Sequence, residues 1–208
     1  MEHLVVDLIA NLKRRNISGF YTETISQAKR LVESFILKNS CIGISGSKTL
    51  DELGIVASLE ARGNKIFNQY KPGISAKKSL EERSLGAQAD YYLTSANAIS
   101  EKGELVFFSG YGQRISGIAN AKNVIVVCGL NKITLNLTEA LKRSREYATP
   151  LNCKRLNWPS ACLTQGICRK EICLAPDYKR MCCQILIIES QINPDRLKVV
   201  FVGEELGF

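Results

Sequence analysis

The stretch "GISGSKTLDELG", residues 43–54, predicts the end of a buried strand, a turn of small residues and the start of a helix. The run "CIGIS" (41–45) is short and apolar, as are strands covered on both faces of a parallel sheet. Small residues after such a strand either let the chain turn tightly or let a ligand approach the backbone at a helix start. Thr49 and Glu52 also form a capping-box pattern, so the two interpretations stay open.

Further segments extend this pattern along the chain. Short runs rich in Val and Ile predict more strands: 91–95, 123–129, 184–190 and 197–203. Helical spacing is found at 4–12, 28–36, 49–61, 76–88 and 136–148. The alternation predicts an α/β fold in three layers, a mostly parallel sheet with helices on both faces. "SANAIS" and "ELVFFS" are joined only by "EKG" (101–103), which predicts one antiparallel hairpin.

Length and composition predict a single domain over residues 1–208. The chain is 45% hydrophobic and 23% charged, as in ordinary globular proteins. Residues 149–183 have little periodicity and hold six of the eight cysteines, so they predict a small cysteine-rich appendage, inserted before the last two strands. No apolar run approaches the roughly 18 residues of a membrane span, and the first 15 residues carry acids inside their apolar part. We therefore expect a cytoplasmic protein with no membrane partner.

The net charge of +8 favours anionic partners. No zinc-finger spacing, RNP pattern or basic region linked to heptads is present, so no nucleic-acid partner is predicted. The basic residues are compatible with solvated helix faces or with a site for small anions. The oligomeric state, monomer or homo-oligomer, is left open.

Loops of small residues follow several of the predicted strands: 94–104, 109–117 and 128–134, besides 43–54. In open α/β sheets the loops beyond the carboxyl ends of parallel strands gather at one edge, where ligands bind. We expect these loops to form one pocket for a small anionic metabolite. Lys48 and Gly112 lie within them, and Arg114 is suited to hold a carboxylate or phosphate.

Six segments resemble the LUD domain family, also called the lactate-utilisation or DUF162 group. They are "SGSKTLDELG" (45–54), "LTSANAISEKGELV" (93–106), "GYGQRISGI" (110–118), "VIVVCGLNKI" (124–133), "ATPLNCKRLN" (148–157) and "KVVFVGEELGF" (198–208). The resemblance implies a fold of the NagB/RpiA/CoA-transferase-like type and a link to lactate oxidation with iron-sulphur partner proteins. It places further residues on the family's loops: Gly46, Ser47, Thr49, Glu52, Ser95, Asn97, Gly103, Gly129, Asn131 and Lys132. Relatives show Asp-Gly-x-Gly-Asn-Arg where this chain has Ser109 to Arg114, so a carboxylate is lost and the arginine is kept.

The cysteines favour metal or redox chemistry, since thiols at this density in a cytosolic protein are seldom disulfides. No Cys-x-x-Cys pair is present, and free thiols stay an alternative. The resemblance implies a four-cysteine segment that holds an iron-sulphur cluster, with zinc as a weaker option; here Cys168 and Cys173 are farther apart than in relatives. The candidate ligands are Cys162, Cys168, Cys173 and Cys182.

Three functions remain in competition. The first is a redox-accessory protein of lactate or other hydroxy-acid utilisation that works with partner subunits. The second is an acyl or CoA transferase in which Glu101 forms a covalent intermediate, as in related folds. The third is a binding module for an anionic metabolite. No Gly-x-Gly-x-x-Gly follows a strand, so no NAD is expected, and His3 is the only histidine, which disfavours a histidine base.

Overall fold

The computed structural model describes residues 2–208 and divides them into helices and strands as follows. The helices are α1 (Glu2–Arg14), α2 (Ile25–Phe35), α3 (Lys48–Leu53), α4 (Ile55–Ala61), α5 (Ala76–Ala87), α6 (Gln113–Asn120), α7 (Leu137–Arg143), α8 (Thr149–Arg155) and α9 (Ala161–Gln165). The strands are β1 (Ser18–Thr22), β2 (Cys41–Ile44), β3 (Lys65–Phe67), β4 (Tyr91–Thr94), β5 (Ala98–Ser100), β6 (Leu105–Ser109), β7 (Asn123–Gly129), β8 (Ile133–Thr134), β9 (Gln184–Ile188) and β10 (Leu197–Val202).

Six strands form an all-parallel sheet in the order β1-β10-β7-β4-β2-β3. Side chains of β7 alternate between two hydrophobic cores: Val124 and Val126 face α1 and α6, whereas Ile125 and Val127 face α2, α3 and α4. Both faces are thus covered, which explains why the central strands are apolar throughout. The predicted three-layer α/β fold is confirmed.

A second sheet packs beside the first, in the order β8-β5-β6-β9. The predicted hairpin is its centre, since β5 and β6 pair antiparallel around the turn at 101–104. The prediction for 184–190 is wrong in one respect: β9 pairs antiparallel with β6 in this sheet, and Ile185 and Ile187 are 41% and 36% exposed. An apolar run shows that a strand forms but not which strand it pairs with. Of the last two strands, only β10 lies in the parallel sheet.

The sequence did not predict three short strands, which are β1, β3 and β8. β1 and β3 are the edges of the parallel sheet, where one side faces no partner and the sequence is less apolar. The predicted helix 49–61 is two helices, because Gly54 adopts a left-handed backbone with φ of 60° between α3 and α4. The predicted helix 136–148 runs on through a π-helical turn, Ser144–Ala148, into α8.

The cysteine-rich segment therefore begins with α8, contains α9 and is irregular between Gln165 and β9. It covers the outer face of the second sheet, where Cys182 packs with Ala98, Val106 and Phe108. Helix α7 contributes Ala140 to the same cluster. No helix within residues 2–208 combines the length and apolarity needed to cross a membrane.

Candidate functional site

A cleft of about 180 Å³ opens at the carboxyl ends of the parallel strands. Its walls are the loops that follow β2, β4, β6 and β7, together with α8 and the residues after it. Eight of the thirteen predicted ligand-binding residues line this cleft: Gly46, Ser47, Lys48, Thr49, Ser95, Asn97, Arg114 and Lys132. The loops that the sequence singled out therefore meet at one place.

The first loop is ordered by Ser47 and not by the capping box predicted for Thr49 and Glu52. Ser47 is the N-cap of α3, and its Oγ accepts a hydrogen bond from the Leu50 N–H at 3.4 Å. The hydroxyl of Thr49 is thereby free to face the cleft, where it accepts a hydrogen bond from Lys132. Residues 43–54 therefore form a capped turn, and this turn is compatible with the other interpretation, in which a ligand approaches the same loop.

Arg114 ties three of the loops together. One guanidinium nitrogen donates to Asn97 Oδ1 at 3.0 Å and to the Phe108 carbonyl at 3.1 Å, and the other donates to the Gly46 carbonyl at 3.1 Å. Burial lowers its pKa. Its Nε is buried and has no hydrogen-bond partner among the described residues. A buried N–H donor without an acceptor is costly.

Gly112 sets the direction from which Arg114 enters the cleft. It precedes α6 with φ of 78°, a left-handed conformation that glycine adopts without strain. The turn is closed by Ser109, whose Oγ accepts from the Gly112 N–H at 3.1 Å and donates to Gln113 Oε1 at 3.1 Å. Gly112 itself does not line the cleft, so its role is positional.

Lys132 is the most deeply buried charged group of the cleft, with 2% of the residue exposed. Its Nζ donates to Thr49 Oγ1 at 2.7 Å and to Ser95 Oγ at 2.8 Å. Its pKa is lowered to about 8; burial is the main cause, the positive charges of Arg143 and Arg114 act in the same direction, and Cys128 and Glu52 oppose them. A lysine in this state is a candidate for binding an anion or for acting as a nucleophile.

The charge of the cleft is one-sided. Its lining contains five basic residues, Lys48, Arg83, Arg114, Lys132 and Arg155, and no Asp or Glu. Lys48 and Arg155 pair with carboxylates outside the lining, at 3.4 and 3.6 Å. In residues 2–208, neither Arg114 nor Lys132 has a carboxylate within 4.0 Å. Buried charges are normally paired, so this arrangement favours a negatively charged ligand.

Aromatic side chains form the outer part of the cleft, and sequence reasoning missed all of them. Tyr70, Tyr111, Trp158 and Phe208 line it, with the Tyr111 and Trp158 rings edge to face at 6.0 Å between centroids. A Cβ on Gly46 would lie 2.8 Å from the Tyr70 ring, so only glycine allows this ring to close in. These residues come from four separate segments, and no local pattern in the sequence connects them.

Three predicted residues hold the chain near residues 206–208 instead of lining the cleft. Asn131 donates to the Gly207 carbonyl at 3.1 Å and accepts from the Leu206 N–H at 3.4 Å. Glu52 accepts from the Gly207 N–H at 2.6 Å, and a Cβ on Gly129 would lie 2.6 Å from the Leu206 nitrogen. They thus fix the segment that carries Phe208 against the opening.

Glu101 and Gly103 lie in the hairpin turn, at the end of β5 opposite Asn97. The Glu101 N–H donates to the Thr134 carbonyl at 2.8 Å, and its carbonyl accepts from Asn11 Nδ2 of α1 at 2.8 Å. Neither residue lines the cleft. The transferase role of Glu101 stays a prediction and concerns a place outside this cleft.

The predicted metal ligands lie near one another around α9 but do not close a site. Within residues 2–208, no group of three or more His, Cys, Asp or Glu side chains is arranged to hold a metal ion. Cys162, Cys173 and Cys182 are buried, and Cys168 is partly exposed. The Cys182 thiol faces two guanidinium groups, those of Arg180 at 3.4 Å and of Arg145 at 3.7 Å. As they lie, these cysteines fit neither an iron-sulphur cluster nor zinc, and the metal site stays a prediction.

The fold and this cleft define an α/β protein with a basic pocket at the carboxyl edge of a parallel sheet. The family model of the LUD domain matches residues 5–202, and the chain belongs to the LUD domain family. The resemblance seen in the sequence is thereby confirmed, and membership supports a role associated with lactate utilisation. No curated protein matches the chain significantly.

One solved structure shares the fold of this chain, and two more are weaker likenesses that support no argument. A DUF162 family protein from Deinococcus radiodurans is similar at a TM-score of 0.51, with 14% identity over 97% of this chain and 96% of that one. Ribose 5-phosphate isomerase from Plasmodium falciparum matches at 0.36, with 17% identity over 54% of this chain and 52% of that one. For eIF2B beta from Chaetomium thermophilum the TM-score is also 0.36, with 14% identity over 55% of this chain and 44% of that one. The first likeness concerns the fold alone, and the other two have no bearing on function.

Proposed function

We propose that this protein binds a small organic anion, a hydroxy or oxo carboxylate, in the cleft and serves hydroxy-acid utilisation as an accessory to redox partner proteins. The observation that carries the proposal is the presence of two cations in one cleft without a carboxylate partner, the buried Lys132 and the partly buried Arg114. The dependence on partner proteins is supported by the family alone.

Arg114 and Lys132 would each stabilise the negative charge of the bound carboxylate. A carboxylate in the cleft would lie beside the positive charge of Arg114, which lines it. The ammonium of Lys132 would stabilise the same negative charge from the side of Thr49 and Ser95. Hydrogen bonds between charged groups contribute about 1.5–3 kcal/mol each, so the loss of one is expected to weaken binding by roughly 10-fold or more.

Isothermal titration calorimetry with sodium lactate, glycolate, pyruvate and inorganic phosphate tests the proposal. At least one carboxylate should bind, and Arg114→Gln should weaken that binding by roughly 10-fold or more. The matched control is Arg196→Gln. Like Arg114, Arg196 holds backbone carbonyls, those of Ile118, Ala119 and Ala121, but it lies at the amino end of β10. Equal losses in both variants, or no heat with any carboxylate, would refute the proposal.

No step of this function depends on the cysteines. The iron-sulphur prediction has its own test, which is iron, sulphide and zinc analysis of protein purified without air. Iron and sulphide in stoichiometric amounts would mean that Cys162, Cys168, Cys173 and Cys182 move together from their present positions. Protein free of iron, sulphide and zinc would end the prediction.

A further inference from the structure

We propose that Lys132 forms an imine with the keto carbon of a 2-oxo acid bound in the cleft. This inference rests on the proposed function, because it requires the same carboxylate to be held beside Arg114. It adds a covalent step and narrows the ligand from organic anions in general to those with a carbonyl group next to the carboxylate.

The surroundings of the Lys132 amine are suited to a nucleophile. Its Nζ has two hydroxyl partners, Thr49 Oγ1 and Ser95 Oγ, and no carboxylate partner in residues 2–208. A carboxylate would hold the lysine as an ammonium ion. Hydroxyl groups accept from an ammonium or donate to the lone pair of a neutral amine, so the site accommodates both protonation states. Both hydroxyls belong to residues that line the cleft.

The burial of Lys132 makes its neutral form more abundant than in an exposed lysine. Burial lowers its pKa to about 8; Arg143 of α7 and Arg114 of α6 act in the same direction, and Cys128 of β7 and Glu52 of α3 oppose them. At pH 7 roughly one tenth of such lysines are neutral, against about 1 in 2,500 for an exposed lysine with a pKa of about 10.4. The reactive fraction is thus roughly 200-fold larger at this position.

The reaction needs no oxidant or reductant. The lone pair of Nζ attacks the keto carbon, a C–N bond forms, and the carbonyl oxygen is protonated to give a carbinolamine. That oxygen then leaves as water together with both hydrogens of the neutral amine, and a C=N double bond remains. Ser95 and Thr49 are placed to pass the protons between nitrogen and oxygen. Lactate has no keto carbon and cannot react in this way.

Borohydride trapping tests the inference, since reduction of an imine leaves a stable secondary amine. The full chain is incubated with sodium pyruvate and borohydride, and with sodium lactate and borohydride, and both are followed by peptide mass mapping. We expect one adduct, on Lys132, with pyruvate only. Its rate of formation should rise about 10-fold per pH unit below pH 8 and level off above it.

Two lysine variants make the assignment specific. Lys132→Arg keeps the positive charge but cannot form an imine, so it should lose the adduct. Lys122→Arg, at an exposed lysine outside the cleft that pairs with Asp90 at 2.7 Å, should keep it. An adduct on Lys48 or spread over surface lysines would overturn the inference. Pyruvate that binds in calorimetry without any trapped adduct would overturn it while leaving the proposed function intact, whereas absence of carboxylate binding would refute both.

Discussion

Replacing Lys132 by methionine is expected to stabilise the fold at neutral pH, because the native lysine carries a buried charge without a carboxylate partner. Burial lowers its pKa from 10.5 to about 8. At about 1.36 kcal/mol per pH unit, the folded state loses roughly 3 kcal/mol by holding the ammonium at pH 7. Methionine has a similar length but forfeits the hydrogen bonds to Thr49 and Ser95, each worth about 0.5–1.5 kcal/mol. The net expected gain is about 1–2 kcal/mol.

The difference in stability between the native protein and the Lys132→Met variant should change with pH in a defined direction. Between pH 8 and 10.5 the unfolded chain binds more protons at Lys132 than the folded protein does, so stability of the native protein rises with pH across this window. The methionine variant lacks this contribution. From pH 7 to pH 10 the native protein should therefore gain about 2.5 kcal/mol relative to the variant, so the advantage of the variant disappears. Groups that titrate alike in both proteins cancel in the difference.

Urea denaturation of both proteins at pH 7 and pH 10 measures the effect. The control is Lys48→Met, since Lys48 lines the same cleft but is exposed and only pairs with Glu52 at 3.4 Å on the same helix. That change should alter the free energy of unfolding by no more than about 0.5 kcal/mol. A Lys132→Met variant whose difference from the native protein is the same at both pH values would refute the reasoning, as would a loss of stability at pH 7.

Two further predictions concern the frame of the cleft. Gly43→Ala places a methyl group 2.1 Å from the Gly86 carbonyl oxygen, so β2 and α5 must separate, and we expect a loss of about 2–3 kcal/mol in urea denaturation. A loss no larger than that of Gly73→Ala, where only a positive φ causes strain, would argue against this close contact. Asn131→Ala removes both hydrogen bonds to residues 206–207 and releases Phe208, which should weaken carboxylate binding in calorimetry. An unchanged dissociation constant would show that this segment does not shape the site.

The sequence by itself determined the central strands and the hairpin. Strands with neighbours on both sides and helices on both faces have few positions for a polar side chain, so β7 and β10 can be recognised as Val-rich runs. The three-residue link at 101–103 allows only an antiparallel pair. The edge strand β1 was missed because "SGFYT" lacks this apolar signal, and the sheet to which β9 belongs depends on pairing and not on composition.

The sequence also determined where the cleft lies, since the loops after parallel strands must meet at one edge. Only the tertiary structure decided what those loops do there. Whether a lysine is exposed or buried depends on side chains far away in the sequence, and at Lys132 these are Thr49 and Ser95. The aromatic walls and the contact of Asn131 with Gly207 likewise join distant segments. Such contacts arise from the packing of whole elements, and packing leaves no local pattern from which they could be predicted.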